Sequence, residues 1–490
     1  MTLTPKSNAL KRRGVAAPTI MQILPALVRG GVERGTLETA AAIQKHGGRA
    51  IVISRGGPMV RHLDRIGAIH HKLDVNSKNP FRWPKIRRQL KALLVSEKVD
   101  LVHVRSRAPA WIALPAAVNL GIATVSTVHG RFLARSAFKH RYNGKLLKTD
   151  HVIAISNYVR ELITSQYFGI EDRLSVVQRG VDIDLFSPER VNQTRIINFV
   201  DNLAVPEDVP VIMLPARATE WKGHHILLQA LAKIKDRPFI CLMIGAGDGK
   251  PAFVSELVRY GHRLGLEGRF RLTPLVDDMP AALMVADVVA MPSITPEPFG
   301  RVALEAQAMG RPVVAFDHGG ATESIRHGET GWLATPGDAD SLAAALQAAL
   351  DLKPRKRKML AITTRKHIEA NFSTETMCRQ TIKIYQQKAV DRVSQFVEVL
   401  VAKNSAQHMA ADIRSTNFGK LRGKEGNTDG GKDAEVVAII YRPQQASEYA
   451  TRTQHTIPSI RRDGPGGGHY KMSIQAVLMS RVPADDDMCG

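Results

Sequence analysis

Two glutamates, Glu297 and Glu305, stand eight positions apart just after an apolar, strand-like run at 288–291. Pro298 suits the first turn of a helix because its φ angle is fixed, and Gly310 suits the position after the helix ends. We therefore predict a helix that begins at Pro298, with Glu297 at its mouth and Glu305 up to ~12 Å further along. The amides that open this helix, a natural anion site, belong to Phe299, Gly300 and Arg301. A carboxylate on each side of an anion site matches a ligand with a sugar, a diphosphate and a ribose.

A second pair of charged residues follows another apolar run, at 211–214. Arg217 and Lys222 are five positions apart, where this predicted strand leads into the next helix. A guanidinium can bind a phosphate through two parallel hydrogen bonds, and an ammonium adds a mobile point charge. Together these two cations could neutralise a departing diphosphate without a metal ion.

A metal-dependent transferase would need an Asp-x-Asp pair at a strand end beside the diphosphate. The chain has this spacing at Asp182/Asp184, Asp338/Asp340 and Asp485/Asp487. The first pair belongs to a Gly-Val-Asp loop, the second has the sequence of a helix cap, and the third lies near the end of the chain. We therefore expect no metal ion and no other cofactor.

Glycines and one histidine mark three further loops that follow predicted strands. Gly30 and Gly31 precede the first helix, where a glycine backbone lets a ligand approach closely. His129 ends the fifth predicted strand, and Gly245 and Gly247 follow a later one. The Gly-x-Gly pattern alone is a weak sign of a nucleotide site and fits a plain tight turn equally well.

Together these motifs resemble those of the retaining GT-B glycosyltransferases of family 4. The segment from Glu297 to Glu305 is similar to the family's Glu-x7-Glu motif. The loop from Arg217 to Lys222 resembles its Gly-Arg-x4-Lys-Gly loop, with Ala216 in place of a glycine. The resemblance implies that Glu297 orients the sugar hydroxyls and that Glu305 holds the ribose. It also implies that Arg217 and Lys222 stabilise the leaving diphosphate.

The remaining loops resemble the family too. Gly30 and Gly31 match a Gly-Gly-x-Glu-Arg motif that faces the donor across a cleft. By the same resemblance, His129 would touch the donor sugar or an acceptor hydroxyl. Gly245 and Gly247 would lie near the nucleotide base.

Two loops of the family pattern have no assigned contact with the donor. The segment 179–186 resembles the family's Gly-Val-Asp-x3-Phe loop, although Arg179 replaces the usual Asn and could add a phosphate contact. The segment 317–323 resembles a Gly-Gly-x-x-Glu loop, which we expect to be a structural turn whose Glu323 supports the following helix.

Short apolar runs alternate with helical patterns along the chain, which is typical of parallel α/β domains. Twelve runs are predicted to be strands: 20–24, 50–54, 69–73, 101–104, 124–128, 151–155, 175–178, 211–214, 239–244, 270–274, 288–291 and 313–316. With the resemblance, this order predicts an α/β fold of the GT-B type. Two Rossmann-like, doubly wound domains would then face a central cleft, and ligands would bind at the strand ends.

The expected domain boundaries follow this pattern. We predict an N-terminal acceptor domain over residues 1–185 and a linker over 186–210. A nucleotide-sugar domain would follow over residues 211–372. By resemblance, a last helix at 373–392, capped by Ser373, crosses back to the first domain. Residues 400–490 are rich in glycine and have little period, so we expect a mostly disordered tail with one strand near 435–441.

The net charge of +22 is concentrated in the first part of the chain. Residues 1–150 hold 27 Lys and Arg against 7 Asp and Glu, whereas residues 151–350 are net negative. The segment 131–148 mixes bulky apolar residues with six cations: Arg131, Arg135, Lys139, Arg141, Lys145 and Lys148. Such a segment suits an anionic membrane surface or an anionic acceptor. Nucleic acid is a rival partner, but we expect none because no RNP-like strand or zinc finger accompanies the charge.

The resemblance implies a retaining, metal-independent hexosyltransferase, with GDP-mannose as the first choice of donor and UDP-hexoses as alternatives. The basic first domain suggests a glycolipid acceptor, and the chain is similar overall to bacterial lipopolysaccharide-core glycosyltransferases. We therefore expect peripheral binding at the cytoplasmic face of the inner membrane. Two alternatives stay open: a GT-B nucleotide-sugar epimerase without an acceptor, and a non-catalytic basic scaffold that binds a membrane or nucleic acid.

Overall fold

The structure, a computed structural model, describes residues 18–28, 30–389 and 391, together with three strands between residues 435 and 480. Residues Pro18–Ala389 form one compact unit, which contains every site residue predicted above, and the three C-terminal strands belong to another. Helices and strands are numbered below in chain order.

The first domain is built on a seven-stranded parallel sheet with the order β3-β2-β1-β4-β5-β6-β7. Its strands are β1 Thr19–Ile23, β2 Arg49–Ser54, β3 Ile69–Lys72, β4 Leu101–Val104, β5 Ala123–Val128, β6 His151–Ala154 and β7 Leu174–Val176. The helices between them are α1 Gly31–Lys45, α2 Val60–Arg65, α3 Trp83–Ser96, α4 Arg107–Val118, α5 Ala137–Gly144 and α6 Asn157–Thr164. The strand order reverses at β1, which makes the sheet doubly wound.

The second domain repeats this plan with six parallel strands in the order β10-β9-β8-β11-β12-β13. These strands are β8 Val211–Met213, β9 Ile240–Ile244, β10 Phe270–Thr273, β11 Val288–Met291, β12 Val313–Phe316 and β13 Gly331–Ala334. The helices are α7 Gln193–Asn202, α8 His224–Lys233, α9 Pro251–Arg263, α10 Met279–Val285, α11 Arg301–Ala308, α12 Ala339–Leu350 and α13 Pro354–Asn371. Two Rossmann-like domains are therefore present, as the sequence predicts.

The central strands are apolar along their whole length because helices cover both faces of each sheet. Every residue of β1, β4, β5 and β11 is buried. All twelve predicted strands are present. The sequence does not predict β13, an edge strand of four residues (Gly-Trp-Leu-Ala) whose two middle side chains are only half-buried.

The stretch that the sequence assigns to an irregular linker contains a helix, α7. The side chain of Asn192 caps it by accepting a hydrogen bond from the Arg195 amide at 3.0 Å. Arg195 also donates to both oxygens of Asp278, at 2.7 and 2.6 Å, just before α10. Only Phe199 among the residues of α7 is fully buried, so the apolar period is too weak to identify the helix from the sequence.

A last helix, α14, spans residues 374–389 and lies against the first sheet. The Ser373 hydroxyl caps it by accepting from the Thr376 amide at 3.1 Å. Within the helix, the Cys378 thiol lies 3.5 Å from the carbonyl oxygen of Glu38, and the buried Tyr385 hydroxyl lies 2.5 Å from His103 Nδ1. The C-terminal end of this unit is thus anchored to strands and helices of the first domain.

The helix predicted to begin at Pro298 begins at Arg301 instead. Gly300 has a φ angle of +92°, in the left-handed region, and therefore precedes the helix as its N-cap. A side chain at this position would also meet the methyl group of Met291 at 3.0 Å. Pro298 and Phe299 consequently form a turn before the helix rather than its first turn.

Beyond residue 400 the structure describes three strands: β14 Glu435–Ile440, β15 Thr451–Asp463 and β16 His469–Ser480. β14 coincides with the one strand predicted there, whereas β15 and β16, which pair antiparallel, fall where the sequence analysis expects disorder. The rest of the predicted tail lies outside the described residues. Among the described helices, none is long and apolar enough to cross a bilayer.

Candidate active site

The predicted site residues lie where the carboxyl ends of the strands in the two sheets meet. Across this junction, Arg34 Nη1 on α1 lies 3.1 Å from Glu305 Oε1 on α11. A second ion pair has its cation on the other domain: Arg301 Nη2 on α11 lies 3.1 Å from Glu38 Oε1 on α1. A Cβ atom at Gly31, the first residue of α1, would lie 3.8 Å from the Arg301 side chain. The beginnings of two helices, one from each domain, therefore face the same cleft.

Glu297 is held by an ion pair at the second-domain wall of the cleft. Lys222 Nζ lies 2.7 Å from Glu297 Oε1, and the Ser293 hydroxyl lies 2.5 Å from the same oxygen. The side chains of Lys222 and Glu297 are only 18% and 11% exposed. A largely buried carboxylate requires such partners, because burial of an unpaired charge is costly.

The local backbone brings this pair together. Gly223, directly after Lys222, has a φ angle of +78°, and a side chain there would lie 1.8 Å from the carbonyl oxygen of Pro292. The Ile294 amide donates to the Trp221 carbonyl at 2.9 Å, which ties the Lys222 loop to the segment before Glu297. On the other side, the Gly320 amide donates to the Glu297 carbonyl at 2.8 Å. Glu297 is consequently fixed by three separate segments.

Glu305 belongs to a network of four charged residues from both domains. Its partners are Arg34 at 3.1 Å and Arg301, whose Nε lies 3.9 Å from the same oxygen. Burial raises the pKa of Glu305 above its usual value, while Arg301 and Arg34 oppose this shift and Glu38 adds to it. Glu38 Oε2 and Arg301 Nη1 are buried and have no hydrogen-bond partner within the described residues. Unsatisfied buried atoms of this kind are rare, so they suggest a polar ligand at this point.

His129 lies at the end of β5 and is paired with a buried arginine. Arg179 Nη2 lies 2.7 Å from His129 Nδ1 and donates to the Gly31 carbonyl at 3.1 Å. Burial lowers the pKa of His129 well below its usual value, and Arg179, Arg105 and His103 lower it further. His129 Nε2 is buried without a partner among the described residues.

Two charged residues of this cluster, Glu38 and Arg105, are not singled out by the sequence analysis, and Arg34 enters there only as the arginine of the Gly-Gly-x-Glu-Arg motif, without a role. Arg105 directly follows β4 and is buried, where it donates to the Gln22 side chain and to Thr39 Oγ1. Its position just after a strand, like that of His129, is a signal that could have identified it. Glu38 is spaced one helical turn from Arg34, a pattern that solvent-exposed helix faces share.

Two family profiles match the chain, "Glycosyl transferases group 1" over residues 196–367 and "Glycosyltransferase Family 4" over residues 29–185. The crystal structure of a glycosyltransferase from Rickettsia africae is 35% identical, with a TM-score of 0.72; the match covers 76% of this chain and 99% of that one. This chain belongs to the group 1, or family 4, glycosyltransferases.

Two further relatives extend the comparison. The D-inositol 3-phosphate glycosyltransferase of Jonesia denitrificans is 33% identical over 46% of this chain and 54% of its own length. Anabaena HepE, crystallised with UDP-glucose, is 24% identical, with a TM-score of 0.66 over 75% of this chain and 99% of that one. At that identity, the likeness to HepE shows the fold alone.

In this glycosyltransferase, Arg217 differs from Lys222 in being exposed. Within the described part of the chain, its guanidinium has no hydrogen bond and no ion pair. The neighbouring Ala216 amide donates to the carbonyls of Leu214 and Ile244, which fixes the start of the loop. Arg217 is thus a cation without a protein partner, beside a cation that already holds Glu297.

The glycines predicted to lie near the nucleotide base form a tight turn after β9. Gly245 has a φ angle of +84°, and a side chain at Gly247 would lie 2.9 Å from the backbone of Thr273 and Pro274. The amides of both glycines donate to the Thr273 carbonyl. Packing within the glycosyltransferase therefore already accounts for both glycines, and a contact with the base stays a prediction.

The amides predicted to form the anion site differ in their surroundings. The Phe299 side chain is buried, with its ring 6.2 Å from that of Phe372, so it belongs to the core rather than to the cleft. Because α11 begins at Arg301, the amides of Phe299 and Gly300 lie before the helix and not within it. Gly30 occupies the matching N-cap position of α1.

Glu323 connects the two domains rather than supporting only its own helix. Its Oε1 accepts from the Tyr158 amide at 3.0 Å, in the first turn of α6. Its Oε2 accepts from the side chains of Asn157 and Gln178, at 3.2 and 2.7 Å. Beside it, the Ser156 hydroxyl donates to the Pro298 carbonyl at 2.6 Å. The turn before α11 is thereby tied to a helix of the first domain.

The predicted basic segment lies at the surface of the first domain, but only part of its apolar content is exposed. Five of the six cations are exposed and Lys145 is half-buried. Phe138 is 80% exposed, whereas Phe132 and Leu146 are buried in the core. These two apolar residues anchor the segment and are not available for a membrane.

The Asp-x-Asp pairs have structural roles where the structure describes them. Asp182 Oδ1 accepts from the amides of Asp184 and Leu185 in its loop. Asp338 Oδ1 accepts from the amides of Asp340 and Ser341 and caps α12, as predicted. Across the described residues, no group of three or more His, Cys, Asp or Glu side chains could hold a metal ion.

Proposed function

We propose that this glycosyltransferase is a retaining, metal-independent hexosyltransferase that transfers a hexose from a nucleotide diphosphate sugar to a membrane-associated glycolipid. The observation that carries the proposal is the Lys222–Glu297 pair at the cleft, with Arg217, exposed and without an ion pair among the described residues, in the same loop as Lys222. A fixed carboxylate accepts hydrogen bonds from sugar hydroxyls, and neighbouring cations bind the diphosphate.

The leaving diphosphate gains negative charge as the glycosidic bond breaks. Groups that are already oriented toward this charge lower the barrier, because they need little reorganisation during the reaction. Arg217 and Lys222 supply positive charge from the second domain, and Arg34 and Arg301 supply it beside the starts of the two facing helices. Lys222, Arg34 and Arg301 are each paired with a carboxylate, so among the described residues the exposed Arg217 offers the diphosphate its main free positive charge in this proposal, in place of a metal ion.

The ribose is assigned to Glu305, which lies about one turn into α11. Ribose hydroxyls can donate to this carboxyl group alongside Arg34. The same fold in HepE holds UDP-glucose, which supports a nucleotide sugar as the donor class. GDP-mannose is our first choice among the donors and UDP-hexoses follow.

Retention of configuration can proceed by attack from the face that the diphosphate leaves. A covalent intermediate would need a free carboxylate beside the sugar. Glu297 Oε1 is engaged by both Lys222 and Ser293, and we assign this fixed carboxylate to the orientation of the sugar rather than to attack on it. The arrangement therefore favours same-face attack.

The acceptor is assigned to a basic and aromatic rim of the first domain, formed by Phe81, Trp83, Trp111, Tyr142 and the 131–148 segment. Trp83 and Trp111 have ring centroids 6.2 Å apart, and Trp111 and Tyr142 stack at the same distance. Lys145 and Lys139 lie 5.8 and 5.6 Å from the Trp111 and Tyr142 ring centroids. Phe81, close to Trp83 in the sequence, and Phe138, close to Tyr142, are 91% and 80% exposed.

The exposed rings of Phe81 and Phe138, among cations, suit the headgroup region of an anionic bilayer, and the rings of Trp83, Trp111 and Tyr142 are half-buried. We therefore propose peripheral binding at the cytoplasmic face of the inner membrane, with a lipopolysaccharide core as the first candidate acceptor. A phosphorylated glycolipid would match the positive charge of this rim.

A donor screen with the full-length protein tests the proposal. Thermal unfolding would be followed with GDP, UDP, GDP-mannose, UDP-glucose and UDP-galactose, and transfer would be followed with radiolabelled donors and membrane lipid extracts. We expect one nucleotide to stabilise the protein and its sugar to appear in the lipid fraction.

The matched variants are Arg217→Ala/Lys222→Ala, which should abolish the nucleotide effect, and Lys235→Ala, an exposed cation near the opposite end of β9, which should not change it. Stabilisation by no nucleotide in a protein that unfolds cooperatively would contradict the proposal. Epimerisation of a free nucleotide sugar without an acceptor would replace it with the epimerase alternative.

A further inference from the structure

Arg179 is a buried arginine whose environment has been shaped to accommodate it. A Cβ atom at Gly35, inside α1, would lie 2.0 Å from Arg179 Nη1. Glycine within a helix costs roughly 1 kcal/mol relative to alanine. A larger residue at this position would displace the guanidinium from the place it occupies here, so Gly35 leaves the room for it.

The contacts of Arg179 determine which nitrogen of His129 carries the proton. A guanidinium has N–H donors and no acceptor, so the 2.7 Å contact requires a lone pair on His129 Nδ1. A neutral imidazole with this lone pair has its proton on Nε2. Arg179 also donates to the Gly31 carbonyl, which holds its guanidinium between α1 and the end of β5.

The remaining nitrogen of His129 is therefore a hydrogen-bond donor. Nε2 is buried and no described residue accepts from it. His129 stands at the end of β5, and Gly31, which Arg179 contacts, would touch Arg301 across the cleft if it carried a side chain. A buried N–H without an acceptor at this point fits an oxygen atom of a bound ligand.

The charges around the ring oppose its protonation. The charged and titratable groups around His129 and its partner Arg179 are Arg179 itself, His103 and Arg105 at β4, Glu38 on α1, Arg301 on α11 and Cys378 on α14. Burial, Arg105 and Arg301 lower the pKa of Arg179 to about 9, so it stays cationic at neutral pH. With burial, this positive field keeps the imidazole neutral.

We propose that Arg179 is a positioning residue that fixes His129 as a neutral, Nε2-protonated hydrogen-bond donor to an oxygen of the donor sugar. The inference rests on the proposed function, because it assigns the sugar as the ligand. Because Arg179 donates to His129 and to the Gly31 carbonyl, we assign it no direct contact with the substrate, in place of the phosphate contact that the sequence suggested. Its effect on the reaction passes through His129.

The first test is a nuclear magnetic resonance titration of the full-length protein labelled with nitrogen-15 histidine. Comparison with His129→Phe identifies the His129 signals. We expect the Nε2-protonated form throughout the range from about pH 5 to pH 8. In Arg179→Met, which removes the donor and the charge but retains an unbranched side chain, the His129 pKa should rise and both tautomers should appear.

The second test is a double-mutant cycle on sugar transfer. Arg179→Met should lower kcat by at least about tenfold, because loss of the group that holds a histidine tautomer impairs catalysis strongly. In a His129→Phe background the same substitution should have less than about a twofold effect. A merely structural role would reduce kcat by the same factor in both backgrounds.

Arg179→Lys keeps the test decisive if the methionine variant does not fold. A lysine retains the positive charge but cannot hold Gly31 and His129 in the same fixed geometry. We expect the His129 pKa to stay low while the tautomer is no longer fixed.

Three outcomes would overturn the proposal. These are an Nδ1-protonated His129, an unchanged tautomer and pKa in Arg179→Met, or equal losses of kcat in the two backgrounds. The titration needs no substrate. If the titration shows the expected tautomer but no nucleotide sugar is turned over, the proposed function is contradicted. The role that we assign to Arg179 and His129 in sugar transfer is then contradicted as well.

Discussion

Lys222 Nζ and Glu297 Oε1 lie 2.7 Å apart although 75 positions separate the two residues in the chain. The pair joins the loop after β8 to the turn that follows β11, two strands that are neighbours in the second sheet. It therefore links the group assigned to the diphosphate with the group assigned to the sugar. This relationship supports predictions on both stability and activity.

Lys222→Ala should destabilise the protein as well as inactivate it. Removal of Lys222 leaves a mostly buried carboxyl group without its cation, at a cost of about 2 kcal/mol. The midpoint of thermal unfolding should fall by about 2–3 °C, because the compact unit is large and has a large entropy of unfolding. The double variant Lys222→Met/Glu297→Gln should recover part of this loss, because it removes both charges. An unchanged midpoint in Lys222→Ala would show that the pair does not contribute to stability.

Glu297→Gln should separate binding from catalysis. Glutamine has the shape of glutamate but lacks the charge that would orient the sugar hydroxyls. We expect kcat to fall by at least about 100-fold, while the affinity for the free nucleoside diphosphate changes less than about threefold. Single-turnover kinetics and nucleotide titration measure the two quantities. Equal losses in both would assign Glu297 to diphosphate binding instead.

Glu305 should make stability fall as pH rises. Burial raises its pKa, so the folded protein binds this proton more tightly than the unfolded chain does. Stability from this group is therefore full below the usual value of 4.5 and is lost as pH rises through the raised pKa. In Glu305→Gln this loss is absent. The unfolding midpoint of the variant should therefore rise relative to that of the wild type as pH increases across the same range.

The control for this prediction is Glu267→Gln, which replaces an exposed glutamate of the same domain. Its difference from the wild type should not vary with pH in this way. A constant difference between Glu305→Gln and the wild type would mean that Arg34 and Arg301 fully offset the effect of burial.

Glu323→Gln should loosen the contact between the domains at α6. The carboxylate accepts three hydrogen bonds there and lies at a helix N-terminus, where negative charge is favourable. A glutamine would present an N–H group to one of these donors. Amide hydrogen exchange at Tyr158 should accelerate about fivefold, equivalent to ~1 kcal/mol. Glu329→Gln, an exposed glutamate on the same segment, should leave that exchange rate unchanged.

The basic rim should bind vesicles that contain phosphatidylglycerol. Each cation near an anionic bilayer contributes about 1 kcal/mol, so the reversal of Arg135, Lys139 and Arg141 to glutamate should weaken binding by at least about 100-fold. Phe138→Ser should weaken it further. Vesicle co-sedimentation measures both effects.

The matched control for the rim reverses three exposed cations of the second domain, Lys235, Lys250 and Arg259. The net change in charge is the same, so a similar loss of binding would mean that total charge, and not this surface, attracts the membrane. Binding to neutral vesicles with the same affinity would also contradict the assignment.

Much of the fold could be predicted because its signals are local. An apolar run bounded by turn residues indicates a buried parallel strand, and β1, β4 and β11 have this form over nearly every residue. The edge strand β13 and the helix α7 lack it, since their apolar residues are few and their packing partners lie far away in the chain. The start of α11 was predicted wrongly because proline at 298 also fits a turn, and because the left-handed conformation of Gly300, where a side chain would crowd Met291 and Ala321, is not recorded in the local sequence.

The sequence by itself determined the parallel α/β architecture, the family, and the residue types at the cleft, because motif spacing places Glu297, Lys222 and His129 at strand ends. Only the tertiary structure decided how these side chains are paired. Arg179 and His129 are 50 positions apart, and Arg34 and Glu305 are 271 apart. Such contacts depend on the packing of two domains and on the room left by Gly35, and no periodicity in a single segment records them.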